Sequence, residues 1–272
     1  MPSVLTSRDR ARERAIAAMV VECGPMLRAV VRRIVRNDSD TDDVVQDAFV
    51  SAYRHWGEFR GDSKPCTWLH AIAVRAAIRR ARREARRRDV AREFARALPF
   101  HQPRLADADF ARHSREAREL RDEARARVDE AIETLPEPFR SAIVVKEIGG
   151  LSIADAARVL GVKEATVKTR VHRGRLLLRA RLLAERPRRA VPPPVYSPRI
   201  CMDLLRAKMD ALDRGVPFPI QDELVCDRCR QVLASLDVGA DACRALRTAT
   251  MPAALRRRIR AALAASGEGT AN

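Results

Sequence analysis

The chain lacks any hydrophobic run approaching the ~20 residues that a membrane-spanning helix requires. Its first residues carry Arg8, Asp9, Arg10 and Arg12 where a signal peptide would have an apolar core. A membrane role and export are excluded on this reading, and a cytoplasmic location is expected. There is no Gly-rich phosphate-binding loop, no nucleophile paired with a base and no pair of catalytic carboxylates in a plausible context, so the chain is not expected to be an enzyme. Acid is also scarce relative to base: 36 Asp and Glu stand against 53 Lys and Arg in 272 residues, a net charge of +17. A polyanionic partner is the simplest cause of that imbalance, and a preponderance of arginine suits bidentate contacts to phosphate. With a cytoplasmic, reducing compartment expected, the six cysteines are not expected to form a disulfide framework. Cys23 and Cys66 are expected to be small buried thiols without function, while the other four fall in the C-terminal third.

The most informative segment is LSIADAARVLGVKEATVKTRVHRGR, from Leu151 to Arg175. Ile153, Ala156, Ala157 and Leu160 recur at helical spacing, and Gly161 supplies the positive φ of a short inter-helix turn. A second helix then buries Val167 and Val171 and leaves Thr166, Lys168, Thr169, Arg170, His172 and Arg173 available. Side chains of these types donate to phosphates and base edges, so the pattern reads as a DNA-binding helix-turn-helix.

A second motif lies upstream. Val44 to Phe49 reads VVQDAF, preceded by Asp40, Asp42 and Asp43 and followed by Tyr53, Trp56, Phe59, Gly61-Asp62-Ser63 and Thr67-Trp68-Leu69. In its helix Val45, Phe49, Ala52 and Trp56 form an apolar stripe, which turns Asp42, Asp43, Gln46 and Asp47 partly outward. Together the two segments, in this order and spacing, strongly resemble regions 2 and 4 of the extracytoplasmic-function sigma factors, the initiation subunits of bacterial RNA polymerase. The resemblance covers residues 26–88 and 128–183.

The resemblance implies an all-α fold with two helical sigma domains, a linker, and a small helical C-terminal domain. Region 2 is expected over residues 1–88, a linker over 89–124, region 4 over 125–186, a Pro-rich spacer over 187–199, and an extension over 200–272. Asp42, Asp43, Gln46 and Asp47 would dock on core RNA polymerase. Trp68, Arg75 and Arg79 would hold the unwound promoter −10 strand, where aromatic groups stack on bases and guanidinium groups hold the backbone. Thr166, Lys168, Thr169, Arg170, His172 and Arg173 would read the −35 duplex. Pro65-Cys66 and Val74-Arg75 depart from the family pattern and bear on −10 preference.

In the extension, Cys201 opens an amphipathic helix with Leu204, Leu205, Met209 and Leu212, and Cys226-Asp227-Arg228-Cys229 opens another. This arrangement resembles the zinc-binding helical domain of anti-sigma factors, with Asp222 at the position of that motif's histidine. Zinc at Cys201, Cys226 and Cys229 would need a fourth ligand, from Asp222 or Cys243. A Cys226–Cys229 redox pair and plain buried thiols remain alternatives. Beyond these, Leu255, Ile259 and Leu263 form a stripe expected to dock on the sigma core. The reading is a sigma factor with a fused anti-sigma-like regulatory extension, with core polymerase, promoter DNA and an anti-sigma factor as partners and no membrane. The alternatives are a free-standing helix-turn-helix regulator and a metal or redox sensor.

Overall fold

The computed structural model describes residues 7–84, 104–106, 119–184, 188–190, 193–247 and 250–268. Most of the expected linker (89–103 and 107–118), part of the spacer (187 and 191–192), and the ends of the expected regions 2 (85–88) and 4 (185–186) lie outside the described residues. The described chain forms two compact units, one drawing on residues 1–85, 144–166 and 247–272 and the other on 86–143 and 167–246. The 200–272 extension is therefore divided between them.

The first unit begins with α1 (Ser7–Glu22), α2 (Gly24–Val35), α3 (Asp38–Arg54) and α4 (Pro65–Glu84). Pro25 in the first turn of α2 has no N–H to leave unpaired there. Arg36 ends that helix in the left-handed region at φ 72°. Asn37 then caps α3, its side chain accepting from the Asp40 N–H at 3.2 Å. Leu27, Val30, Val31 and Ile34 of α2 meet Val45, Phe49 and Ala52 of α3 and Leu69, Ala73 and Val74 of α4 in the core. This unit also contains a π-helical turn (Val144–Ile148), α7 (Ile153–Leu160), which packs on α4, and α11 (Ala253–Glu268), which packs on α3.

Cys23 and Cys66 correct the expectation of free thiols: they are joined as a disulfide with Cα atoms 6.0 Å apart. The cause is helix packing. Cys23 directly precedes α2 and Cys66 lies in the first turn of α4, and these helices pack together.

The second unit contains α5 (Glu119–Glu133), α6 (Glu137–Ile143), α8 (Glu164–Leu182, from Val167 on), α9 (Pro198–Arg214) and α10 (Asp227–Ala245). Gly174 lets α8 approach α6: a Cβ there would meet Ile143 Cδ1 at 3.0 Å and the Phe139 carbonyl at 3.3 Å. Leu176 of α8 joins Cys201, Leu205 and Met209 of α9 and Cys229, Leu233 and Leu236 of α10 in one apolar cluster. Ser197 caps α9, and Gly215 ends it at φ 67°. The all-α expectation holds with one small addition. Strands β1 (Arg104–Ala106) and β2 (Arg188–Ala190), within the two expected linkers, pair antiparallel with Leu105 opposite Arg189.

Candidate polymerase and nucleic-acid interfaces

On α3 the apolar stripe is buried as expected at Val45, Phe49 and Ala52, but Trp56 lies beyond the helix end and is half-exposed. Of the four residues assigned to polymerase docking, Asp47 is exposed and the others are partly buried. Asp42 accepts from Arg28 Nε at 2.8 Å, and Asp43 from Arg258 Nη2 of α11 at 2.7 Å. Gln46 Oε1 is buried without a hydrogen-bond partner.

At the far end of α3, Trp56, Phe59 and Trp68 form an aromatic cluster around the 57–64 loop. Ring centroids are 5.3 Å apart for Trp56–Phe59, 5.4 Å for Phe59–Trp68 and 6.0 Å for Trp56–Trp68. All three rings are half-exposed, an arrangement on which unpaired bases can stack. Sequence reasoning singled out Trp68 and missed the other two, because a stripe continued through Trp56 assigns it to the core. Tyr53 is the core member, buried beneath the Arg12 guanidinium at 4.1 Å from its ring.

Arg79 is exposed on α4. Arg75 is committed elsewhere: its Nε donates to the Val159 carbonyl at 3.2 Å and its Nη2 to the Arg158 carbonyl at 2.6 Å, capping the C-terminus of α7. A −10 contact would require Arg75 to leave those carbonyls.

Helix α7 is capped by Ser152, which accepts from the Asp155 N–H at 3.0 Å, and ends at Gly161 with φ 68°. In α8 Val167 and Val171 are fully buried, whereas Lys168, Thr169 and Arg173 are exposed and Thr166 and Arg170 half-buried. These five share the outer side of the helix. His172 does not join them, since its Nε2 lies 3.0 Å from Asp213 Oδ2 of α9. The other Asp213 oxygen pairs with Arg175 at 2.8 Å. Burial alone would raise the Asp213 pKa, but the His172 hydrogen bond and the Arg175 charge outweigh it and lower it. Arg179, also buried, bonds to Ser235 of α10; burial lowers its pKa to about 10, so it stays charged at neutral pH. Among the described residues His172, Asp210 and Asp213 form a group close enough to share an ion. The Arg175 cation already occupies that neighbourhood.

Cys201, Cys226 and Cys229 converge as expected. Cys229 Sγ is 3.6 Å from Cys201 Sγ, and Cys226 caps α10 within hydrogen-bonding reach of Cys229. Burial would raise the Cys226 pKa, but N–H donors at the start of α10 and from Val195 lower it overall. Burial and the two neighbouring sulfurs push Cys229 well above the ordinary thiol range. Cys243 is buried in the last turn of the same helix. Fourteen residues at 1.5 Å rise separate it from Cys229 by about 21 Å, so it cannot complete their site. Asp222 is exposed in a short 3-10 turn (Asp222–Leu224) before α10.

Residues 19–87 match the family description "Sigma-70 region 2", and residues 125–178 match "Sigma-70, region 4". The chain is 35% identical over 167 residues to the RNA polymerase sigma-H factor of Pseudomonas aeruginosa, covering 61% of this chain and 86% of that protein. It is 34% identical over 173 residues to the ECF RNA polymerase sigma-E factor of Escherichia coli, covering 63% and 89% respectively. Identity to the ECF RNA polymerase sigma factor SigM of Mycobacterium tuberculosis is 39% over 157 residues, covering 58% and 71%. Among solved structures, CnrH in complex with the cytosolic domain of CnrY is similar over 65% of this chain and 93% of that chain, with 27% identity and a TM-score of 0.46. With both sigma regions matched in order and these relatives spanned over most of their length, the chain belongs to the extracytoplasmic-function sigma factors of the sigma-70 family, non-enzymatic subunits of transcription initiation.

Proposed function

We propose that this sigma factor docks on core RNA polymerase through Asp42, Asp43, Gln46 and Asp47 of α3 and reads promoter DNA through two separate faces. Thr166, Lys168, Thr169, Arg170 and Arg173 on α8 meet the −35 duplex, where phosphate contacts supply most affinity and base contacts selectivity. Trp68 and Arg79, joined by Trp56 and Phe59, hold the unpaired −10 strand. The observation that carries this reading is the combination of an acidic turn on α3, with Asp47 exposed and Asp42 and Asp43 partly so, and an exposed basic face on α8, each within a matched sigma region. No described helix is long and apolar enough to cross a membrane, and the site of action is the cytoplasm, where the polymerase works.

The extension regulates the factor through its cysteines. Three sulfurs crowded at the start of α9 and α10 raise the cost of ionising Cys229, and a divalent cation would reverse that cost. Zinc would be held by Cys201, Cys226 and Cys229, with Asp222 as the remaining donor, and would supply a cross-link between the two helices. A second reading rests on the unequal thiols: a Cys226 with lowered pKa beside a protonated Cys229 is the arrangement of a dithiol redox pair. A separate anti-sigma factor is a further partner.

In vitro transcription with core polymerase tests the reading. The full chain should direct promoter-specific initiation, and Asp47→Lys should abolish polymerase association while leaving the helical circular dichroism unchanged. Unaltered association would remove α3 as the docking element. Metal analysis of chelator-free protein distinguishes the cysteine readings, with one zinc per chain supporting the first and metal-free protein with a titratable Cys226–Cys229 pair the second.

A further inference from the structure

Besides α1, α2 and α4, α3 is packed by α11, from the chain's own extension. Its apolar stripe is deeply seated: Met251 just before it and Leu255 and Ile259 within it are 4%, 1% and 0% exposed. These positions follow one another at intervals of four, so they lie on a single helical face. The Met251 side chain fills the space left by Gly24, where a Cβ would collide with its methyl group, and the Phe49 ring of α3 lies beside the same spot. One turn beyond Leu255, Arg258 Nη2 reaches Asp43 Oδ1 at 2.7 Å. Asp43 is one of the carboxylates assigned above to polymerase docking.

We propose that α11 is an intramolecular cover that competes with core RNA polymerase for the outer face of α3, so that stable docking requires α11 to lift. The inference rests on the reading of α3 as the docking element. Arg258 gives Asp43 the cationic partner that a docking surface would otherwise supply, and both cannot use the same carboxylate oxygen at once. Tethering within one chain gives such a cover a high local concentration without a strong interface.

Three features make the cover releasable rather than a permanent strap. The Arg258–Asp43 pair is half-exposed, 47% on each side, and ion pairs so placed hold weakly. Gln46, one turn from Asp43 on α3, has its Oε1 buried without a hydrogen-bond partner, so the closed state leaves a polar atom unsatisfied beside the contact. Beyond Ile259 the close packing ends: Leu263 borders a cavity of about 380 Å³ lined also by Ile16, Val20, Tyr53 and Arg260. The first two turns of α11 are seated, and the next is not.

Hydrogen exchange on the full-length chain, free and bound to core polymerase, is the primary test. The amides of residues 253–266 should be protected in the free protein and lose that protection in the complex; retained protection in the complex overturns the proposal. A Leu255→Asp, Ile259→Asp double variant provides the affinity readout. It should bind core polymerase about tenfold more tightly if the open form is a tenth of the free population. Equal or weaker binding, with exchange in α2–α4 unchanged, would also overturn it. If α2–α4 lose protection in that variant, the wild-type exchange result decides. Asp47→Lys separates the two levels of inference, because Asp47 is exposed and has no part in the Arg258 contact. Loss of binding in Asp47→Lys together with retained α11 protection in the wild-type complex keeps the docking reading and rejects the cover. Undiminished binding rejects the docking reading itself.

Discussion

Arg175 and Asp213 face each other as a buried ion pair, 2.8 Å between Nη1 and Oδ1 with each side chain only 4% exposed. Arg175 lies on the inner side of α8, and Asp213 is near the end of α9 in the extension. Arg175 also donates to the Met209 carbonyl at 3.2 Å, and His172 takes the second Asp213 oxygen. The helix whose outer face is assigned to the −35 duplex is thus held from behind by the extension. That relation gives the extension a physical route to α8 without touching its outer face.

Breaking the pair should be costly and pH-dependent. Asp213→Asn leaves the buried Arg175 charge uncompensated, an expected loss of about 3 kcal/mol, the low end for such pairs because the Met209 carbonyl remains. The Asp213 pKa is depressed in the folded chain. Its contribution is therefore fully present above the ordinary carboxylate value of about 4 and lost as pH falls through the depressed value. Denaturation at pH 7, 5 and 3 should show a constant gap between wild type and Asp213→Asn at the first two values and a narrower gap at the third. A gap unchanged at pH 3 would contradict the assignment.

Reduction of Cys23–Cys66 should destabilise the first unit. The bond closes a loop with a sequence separation of 43, for which the chain-entropy estimate is about 4 kcal/mol. Thermal melting with and without a thiol reductant should differ by roughly 10 °C, and the oxidised chain should be two hydrogens lighter by mass. Cys23→Ser should melt at the reduced temperature under both conditions. A reductant-insensitive melting curve would show that the thiols are not paired in solution.

Local chemistry was legible in the sequence where it acts over one or two turns. Val167 and Val171 are buried, Gly161 adopts the left-handed region, and Leu255 and Ile259 dock on the sigma core. The cysteine convergence followed from two helix starts brought together, a relation that motif spacing also encodes. What periodicity does not encode is pairing between distant side chains. Cys23 with Cys66, Arg75 with the α7 carbonyls, and His172 with Asp213 all span more than 40 residues, and none belongs to a repeating pattern. Arg75 was assigned to DNA through the family resemblance, and His172 because a polar residue opposite a buried stripe reads as exposed. In the fold each has found an internal acceptor. Cys243 failed for the opposite reason, since its own helix fixes its distance from Cys229.

Gly174 provides a packing test on α8. A Cβ there would press on Ile143 and on the Phe139 carbonyl, and backbone cannot yield as a side-chain tip can. Gly174→Ala should therefore destabilise by about 1 to 3 kcal/mol despite the better helix propensity of alanine. Urea denaturation would measure it, and a stabilised variant would mean that α6 and α8 are farther apart than described.

The aromatic cluster predicts a defect in strand opening rather than in polymerase binding. Trp56→Ala and Phe59→Ala should each weaken capture of the unpaired −10 strand by about 1 to 3 kcal/mol, the range for loss of a stacking platform. Permanganate reactivity of promoter thymines reads this directly. Normal opening by the double variant would confine the cluster to a structural role.

The outer face of α8 predicts two distinguishable kinds of loss. Lys168 is exposed, and a lysine so placed is suited to a phosphate as a point charge. Lys168→Ala should weaken binding to every promoter alike and reduce the slope of log K against log salt by about 1. Arg170 is half-buried, and a guanidinium can present two donors to a guanine edge. Arg170→Ala should cost about 1 to 3 kcal/mol on the preferred −35 sequence and much less on others, relaxing selectivity at one base pair. Salt titrations over a set of −35 variants, made with the polymerase holoenzyme, separate the two effects. If both substitutions act uniformly, α8 only positions the protein on the backbone; if neither acts and footprints lack −35 protection, another element reads the duplex.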